Sequence, residues 1–200
     1  MFTGIIETTA QLVSKQLEGS NIHFTFSSSI SNELKIDQSV AHNGVCLTVV
    51  ELGSNQHKVT AIEETLTKTN LGKLEIGDLV NIERCMPANG RFDGHLVQGH
   101  VDDTAICSQV ITKDGSWEFY FELKQAAQTL LVVDKGSICI NGVSLTVVDC
   151  KENTFHVAII PYTFEHTQFK NLKASDTVNL EFDIVGKYLQ KHLAFLKVSV

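Results

Sequence analysis

The sequence predicts an all-β protein built from two tandem copies of one unit of about 95 residues, closed by an amphipathic helix. Three observations predict it. The nine residues NGVCLTVVE (43–51) recur as NGVSLTVVD (141–149), 98 positions further on. FTGIIETTA (2–10) returns as VQGHVDDTA (97–105), here 95 positions on. The tail IVGKYLQKHLAFLKV, after Asp183, has no counterpart behind the first copy. A period this long, in only two copies, marks a duplicated domain and not a solenoid.

The elements follow in order. HFTF at His23 matches EFYF at Glu118 at the 95-residue offset. GVCLTVVEL and GVSLTVVDC are rich in β-branched residues, as strands are. HKVTAI, FHVAII, LVNIER and TVNLEF read the same way, and turn residues such as ELGSN, IGD and KEN separate them. Short strands at near-regular spacing predict a small closed barrel or sandwich in each copy. Short helices are expected at 29–34 and 124–131. The change of offset from 95 to 98 puts about three extra residues between Phe121 and Ser137. In the tail, Ile184, Tyr188, Leu189, His192, Leu193 and Leu196 recur mostly at three- to four-residue intervals, the period of a helix with one apolar face. That face packs either on its own barrels or on the same helix of another subunit.

Composition bounds the function. Of 200 residues, 43% are hydrophobic and only two are proline, so the chain folds around a real core. A net charge of -7 with scattered cations argues against nucleic acid as a partner. Five cysteines, an odd number with no CxxC pair, argue against a disulfide framework and a thiolate zinc site. The opening MFTGIIETTAQ lacks the pattern of a signal peptide, and no stretch approaches the roughly 18–20 apolar residues that span a bilayer. A cytoplasmic protein without a membrane partner is expected.

The two copies differ where chemistry is carried. Cys46 is a thiol where the second copy has the Ser144 hydroxyl. A polarisable thiol suits a nucleophile or a polar wall, whereas serine exchanges hydrogen bonds unless a base activates it. His100 stands where the first copy has Ile5. Histidine relays protons near neutral pH. His95 lies five residues earlier, but two histidines at that spacing do not make a zinc site by themselves.

The stretches MFTGIIE, VAHNGVCLTV, NGRFDGHLVQGHVDDTA, INGVSLTV and DIVGKYL, in this order over essentially the whole chain, resemble the riboflavin synthase family. The resemblance implies two six-stranded Greek-key β-barrels, residues 1–95 and 96–186, and a trimerisation helix at 187–200 that begins as early as 184. It implies a homotrimer with active sites at subunit interfaces, and it allows association with lumazine synthase. Each barrel would bind one 6,7-dimethyl-8-ribityllumazine. One molecule would pass a four-carbon unit to the other, giving riboflavin and 5-amino-6-(D-ribitylamino)uracil. No cofactor and no metal are implied, because electrons move between the two substrates.

The resemblance assigns catalytic roles to Cys46, His100, Ser144 and Thr146. The substrate-binding set it implies begins with Phe2, Gly4, Ile5 and Ile6. In the first copy it continues through Cys46, Leu47 and Thr48, then Thr60, Ala61, Ile62, Glu63, Glu64 and Thr65. Gly99, His100 and Val101 open the second copy, followed by Lys135, Ser144, Leu145 and Thr146. Ile159, Ile160, Pro161, Tyr162, Thr163, Phe164 and Asp183 complete it. Three positions depart from the family pattern: Asn141, where many members carry Asp, and Asp93 and Asp103, where a small residue is expected. A non-catalytic lumazine- or flavin-binding antenna protein is the alternative reading of the same duplicated barrel.

Overall fold

The computed structural model describes residues 1–198; Ser199 and Val200, the end of the expected helical segment, lie outside the described residues. Strands β1 (Thr8–Glu18), β2 (Asn21–Ser27), β3 (Ser39–His42), β4 (Val45–Gly53), β5 (Gln56–Ala61) and β6 (Leu79–Arg84) close one antiparallel barrel in the order β1-β2-β5-β4-β3-β6. Strands β7 (Asp103–Lys113), β8 (Ser116–Glu122), β9 (Ser137–Ile140), β10 (Val143–Lys151), β11 (Thr154–Ile159) and β12 (Thr177–Phe182) close a second with the same connectivity. Closure leaves neither sheet an open edge. The expected Greek-key barrels and the final helix are all present.

Alternation along the strands builds the two cores. In β2, Phe24 and Phe26 point inward with no exposure, and Phe119 and Phe121 do the same in β8. Burying each such ring contributes on the order of 2–3 kcal/mol. Register shifts bend β1 at Val13 and β4 at Val50. The same shifts recur at Ser108 in β7 and Val148 in β10. Duplicated bulges of this kind turn a flat sheet into a barrel wall.

The expected short helices are 3-10 segments, one turn at Ser31–Glu33 and two at Ala126–Leu131. The second is three residues longer, which accounts for the shift in repeat offset. Two further helices, α1 (Glu63–Lys68) and α2 (Pro161–His166), have only six residues each, too few for a helical period to stand out in the sequence. The terminal helix α3 spans Ile184–Val198. Its first turn is held by the Lys187–Asp102 ion pair at 2.9 Å, and Tyr188, Leu189, Leu193 and Leu196 are exposed. No helix among the described residues is long and apolar enough to cross a membrane.

The repeated Asn-Gly words are two-residue hairpin turns. Asn43 and Gly44 have φ of 46° and 78°, and Asn141 and Gly142 have 46° and 83°, the left-handed pair that such a turn requires. The two turns touch each other: a Cβ on Gly44 would stand 2.7 Å from the Gly142 nitrogen. Around them runs a buried amide network with pseudo-twofold symmetry. Asn43 Oδ1 accepts from the Asn81 N–H, and Asn141 Oδ1 from the Asn179 N–H, both at 2.8 Å. Asn81 Nδ2 donates across to the Asn141 carbonyl, and Asn179 Nδ2 to that of Asn43, both at 2.9 Å. Asn141 also accepts from Asn70 and donates to Gln168, so both ends of its amide are engaged between the barrels and not toward a ligand.

Candidate functional site

Each barrel has a mouth where the strand after the Asn-Gly turn runs beside the end of the next strand. At the first mouth, Cys46, Leu47 and Thr48 begin β4, with Cys46 half-buried, Leu47 in the core and Thr48 exposed. Thr60 and Ala61 end β5, and Ile62, Glu63, Glu64 and Thr65 make the entry and first turn of α1. At the second mouth, Ser144, Leu145 and Thr146 begin β10, Ile159 ends β11, and Ile160, Pro161, Tyr162, Thr163 and Phe164 lead into α2. The structure therefore brings most of the expected residues together in two related groups.

The third side of each mouth comes from the other copy. The Ser144 N–H in the second barrel donates to the Gly4 carbonyl at 2.8 Å. The Cys46 N–H in the first barrel donates to the Gly99 carbonyl at 2.9 Å. Ile6 packs on the second barrel's core and Val101 on the first barrel's. The segments before β1 and β7, here called leaders, are thus exchanged. They join at a two-residue bridge in which Phe2 and Val97 trade N–H···O bonds of 2.7 and 3.1 Å, with Phe2 fully buried. The exchange changes the partners of each wall. Cys46 faces the leader carrying His100, whereas Ser144 faces the leader carrying Ile5.

Glycine makes the approach possible. Gly4 and Gly99 have φ of 76° and 79°, and a Cβ on either would fall 2.6 Å from the Cβ of Ser144 or Cys46 respectively.

The polar groups of the mouths differ. Burial pushes the Cys46 thiol up, with Ser39 pulling it back in part, so it stays protonated at neutral pH and acts as a polar wall or proton donor before it acts as a thiolate. Ser144 Oγ lies 2.6 Å from His95 Nδ1. Burial lowers the His95 pKa and the charge of Asp183 opposes this, which leaves a neutral imidazole at pH 7. In that state Nδ1 can accept the Ser144 hydroxyl proton, so the pair is able to activate the serine oxygen. His95 precedes the point where the two copies begin to align, so no repeat partner marked it in the sequence. A stack of Trp117 on Phe164, with centroids 3.8 Å apart and planes at 3°, lines the second mouth. The matching residues of the first are Ile22 and Leu66.

Other expected residues come from turns and strand ends. The Lys135 side chain is exposed on the turn into β9, and its backbone N–H donates to the Val147 carbonyl of β10. Asp183 follows the last residue of β12 and precedes α3, where its carboxylate caps the Val185 N–H at 2.9 Å and its charge reaches His95 beside Ser144. Asp93 and Asp103 are not among the residues with positive φ, so neither needs glycine's freedom. Asp103 instead binds Lys124 and Gln128 at 2.8 and 2.7 Å. Among the described residues, no group of three or more His, Cys, Asp or Glu is arranged to hold a metal ion.

Comparison with known proteins finds the same duplication. The lumazine binding domain family matches twice, at residues 3–85 and 98–183. The chain is 40% identical to the riboflavin synthase of Actinobacillus pleuropneumoniae over 195 residues, covering 96% of this chain and 90% of that one. It is 40% identical to the Bacillus subtilis riboflavin synthase over the same coverage. Identity to that of Escherichia coli is 37%, over 92% of this chain and 87% of the other. In fold it is similar to LumP in complex with riboflavin, with a TM-score of 0.84 at 19% identity over 91% of this chain and 99% of that one. Two lumazine binding domains in tandem, with about two-fifths identity to these synthases across nearly the whole of both chains, make the chain a member of the riboflavin synthase family.

Proposed function

We propose that the chain converts two molecules of 6,7-dimethyl-8-ribityllumazine into one riboflavin and one 5-amino-6-(D-ribitylamino)uracil. One observation carries this reading: two copies of one mouth with unlike walls, Cys46 and the His100 leader at one, Ser144, His95 and the Ile5 leader at the other. A dismutation needs one compound held in two roles. Related sites recognise the same ring, and different walls let one molecule give the four-carbon unit while the other receives it. The atoms of two lumazines equal those of the two products, so no outside oxidant enters. Holding both rings in reacting geometry supplies much of the acceleration.

In this reading His100 takes a proton from the 7-methyl group of one lumazine, since its side chain is exposed at the first mouth. Ser144, hydrogen-bonded to His95, presents an oxygen to the second ring, and Cys46 offers a protonated thiol to the first. Thr48 and Thr146, both exposed, are available to the ribityl chains. The two mouths come together between subunits of a homotrimer. The exposed apolar rims of Ile62 at 53%, Ile160 at 61% and Tyr162 at 68%, and the exposed face of α3, support that assembly. Five free cysteines fit a reducing, cytoplasmic setting.

The purified protein, given only 6,7-dimethyl-8-ribityllumazine, is expected to replace the lumazine absorbance with the flavin band over successive turnovers. Tight binding with no flavin band would favour the antenna reading instead.

A further inference from the structure

We propose that Glu83 and Glu181 are positioning residues that shape each mouth from the opposite barrel, through the exchanged leaders. The inference concerns the sites of the reaction proposed above and rests on that reading for its functional consequence.

The two glutamates are equivalent, 98 positions apart, on the last strands β6 and β12. They are 5% and 3% exposed. Each is held by consecutive backbone amides of one leader. Glu83 accepts from the Thr3 N–H at 2.7 Å, the Thr3 hydroxyl at 3.0 Å and the Gly4 N–H at 3.0 Å. Glu181 accepts from the N–H groups of Gln98, Gly99 and His100 at 2.6, 2.9 and 2.9 Å. The left-handed glycine in each leader turns successive N–H groups to one side, which forms a small anion-binding concavity. A carboxylate inside it makes charge-assisted bonds, the strong kind, and would be costly to leave buried without them.

The wiring is crossed. Glu83 belongs to the first barrel, but the leader it grips lies against Ser144 of the second. Glu181 belongs to the second barrel, but its leader lies against Cys46 of the first. The leaders are also held by the Phe2–Val97 bridge and by backbone bonds of Met1, Thr3, Glu7 and Asp102 to Met86, His95, Ile82 and Leu180, but at Gly4 and Gly99, the residues that touch Ser144 and Cys46, the amides go to the two carboxylates. Each carboxylate therefore sets how closely a leader approaches the other barrel's reactive side chain. A residue that only stabilised its own barrel would produce the uncrossed pattern.

The test uses the full chain with Glu83→Gln and Glu181→Gln. Glutamine keeps the shape but turns an N–H₂ toward amides that need an acceptor. In ligand-free protein, Glu181→Gln is expected to raise amide exchange at 98–100 and iodoacetamide labelling of Cys46 at least tenfold, with the Ser144 segment unchanged. Glu83→Gln is expected to raise exchange at 3–5 and at Ser144 by the same factor, with Cys46 labelling as in wild type. Titration with 6,7-dimethyl-8-ribityllumazine should show each variant losing affinity at one site tenfold or more and keeping the other. Changes confined to the barrel that carries the substitution, equal in both variants, or absent would overturn the proposal. Glu→Asp variants, expected to fold and to show the crossed pattern at smaller amplitude, serve if the glutamine variants do not fold. Wild type alone is also decisive: loop-like exchange at Gly4 and Gly99 would refute the clamps. A wild type that fails to turn over the lumazine would defeat the proposed reaction, and the exchange and labelling results would still judge the clamps.

Discussion

Gly99 and Gly4 are the residues on which the geometry of the mouths turns. Any side chain at Gly99 would have to enter the space of Cys46 while holding a φ of 79°. Gly99→Ala is therefore expected to cost about 2–4 kcal/mol of stability, from strain and overpacking together, and to lower turnover well beyond tenfold. Chemical denaturation and steady-state kinetics measure the two effects. His95 offers a second residue-scale prediction. His95→Asn should lower kcat at least tenfold and abolish its acidic limb, which in wild type falls below the ordinary histidine range because burial depresses the imidazole. A pH profile of kcat, unchanged between the two proteins, would show that the bond to Ser144 is only structural. Exchanging the unlike pair, Cys46→Ser with Ser144→Cys, should also lower turnover, and wild-type kinetics would mean the difference carries no function. These residues were unequally legible. Cys46 against Ser144 showed in the sequence because a near-perfect repeat isolates one changed atom. His95 did not, and neither did Glu83 and Glu181. One lies outside the aligned copies, and the other two repeat so faithfully that they read as ordinary strand residues.

At the scale of elements, β3 and β5 carry a polar feature that their counterparts lack. His42 and His57, both fully buried, share a 2.9 Å bond between their Nε2 atoms, and His57 Nδ1 binds Ser31 Oγ at 2.8 Å. The second barrel has Ile140 and Phe155 at these places. Burial holds His57 down to about 4 and His42 well below its usual value. Both stay neutral in the fold, whereas the unfolded chain takes up protons near pH 6.5. Their contribution is therefore complete above about pH 6.5 and is lost as pH falls toward the folded values, by about 3 kcal/mol for His57 alone. The double variant His42→Ile with His57→Phe should flatten the fall in Tm between pH 6.5 and pH 4. An identical fall in the variant would place the acid sensitivity elsewhere. Helix α3 was legible from its period, but its end state was not, since an apolar stripe does not name its partner. Removing 184–200 should give a smaller species by sedimentation velocity and abolish activity. An assembly of unchanged size would remove the helix from the interface.

Across the whole molecule, duplication explains both what was readable and what was hidden. Strand propensity, the Asn-Gly hairpins and a constant offset were enough to set out two equal barrels, because each depends on local sequence. The crossing of the leaders depends on which of two nearly identical surfaces each one meets, and a repeat makes those surfaces look alike in sequence. The structure shows that Gly4 lies on Ser144 and Gly99 on Cys46, so neither mouth is complete within its own copy. That arrangement suits a reaction in which two identical molecules must be told apart by their surroundings. The most direct test of this account is a mass balance. The protein is incubated with 6,7-dimethyl-8-ribityllumazine alone, and all three compounds are quantified by chromatography. The account predicts one riboflavin and one 5-amino-6-(D-ribitylamino)uracil for every two lumazines consumed. Lumazine bound but not consumed, or riboflavin formed without an equal amount of the pyrimidine, would contradict it.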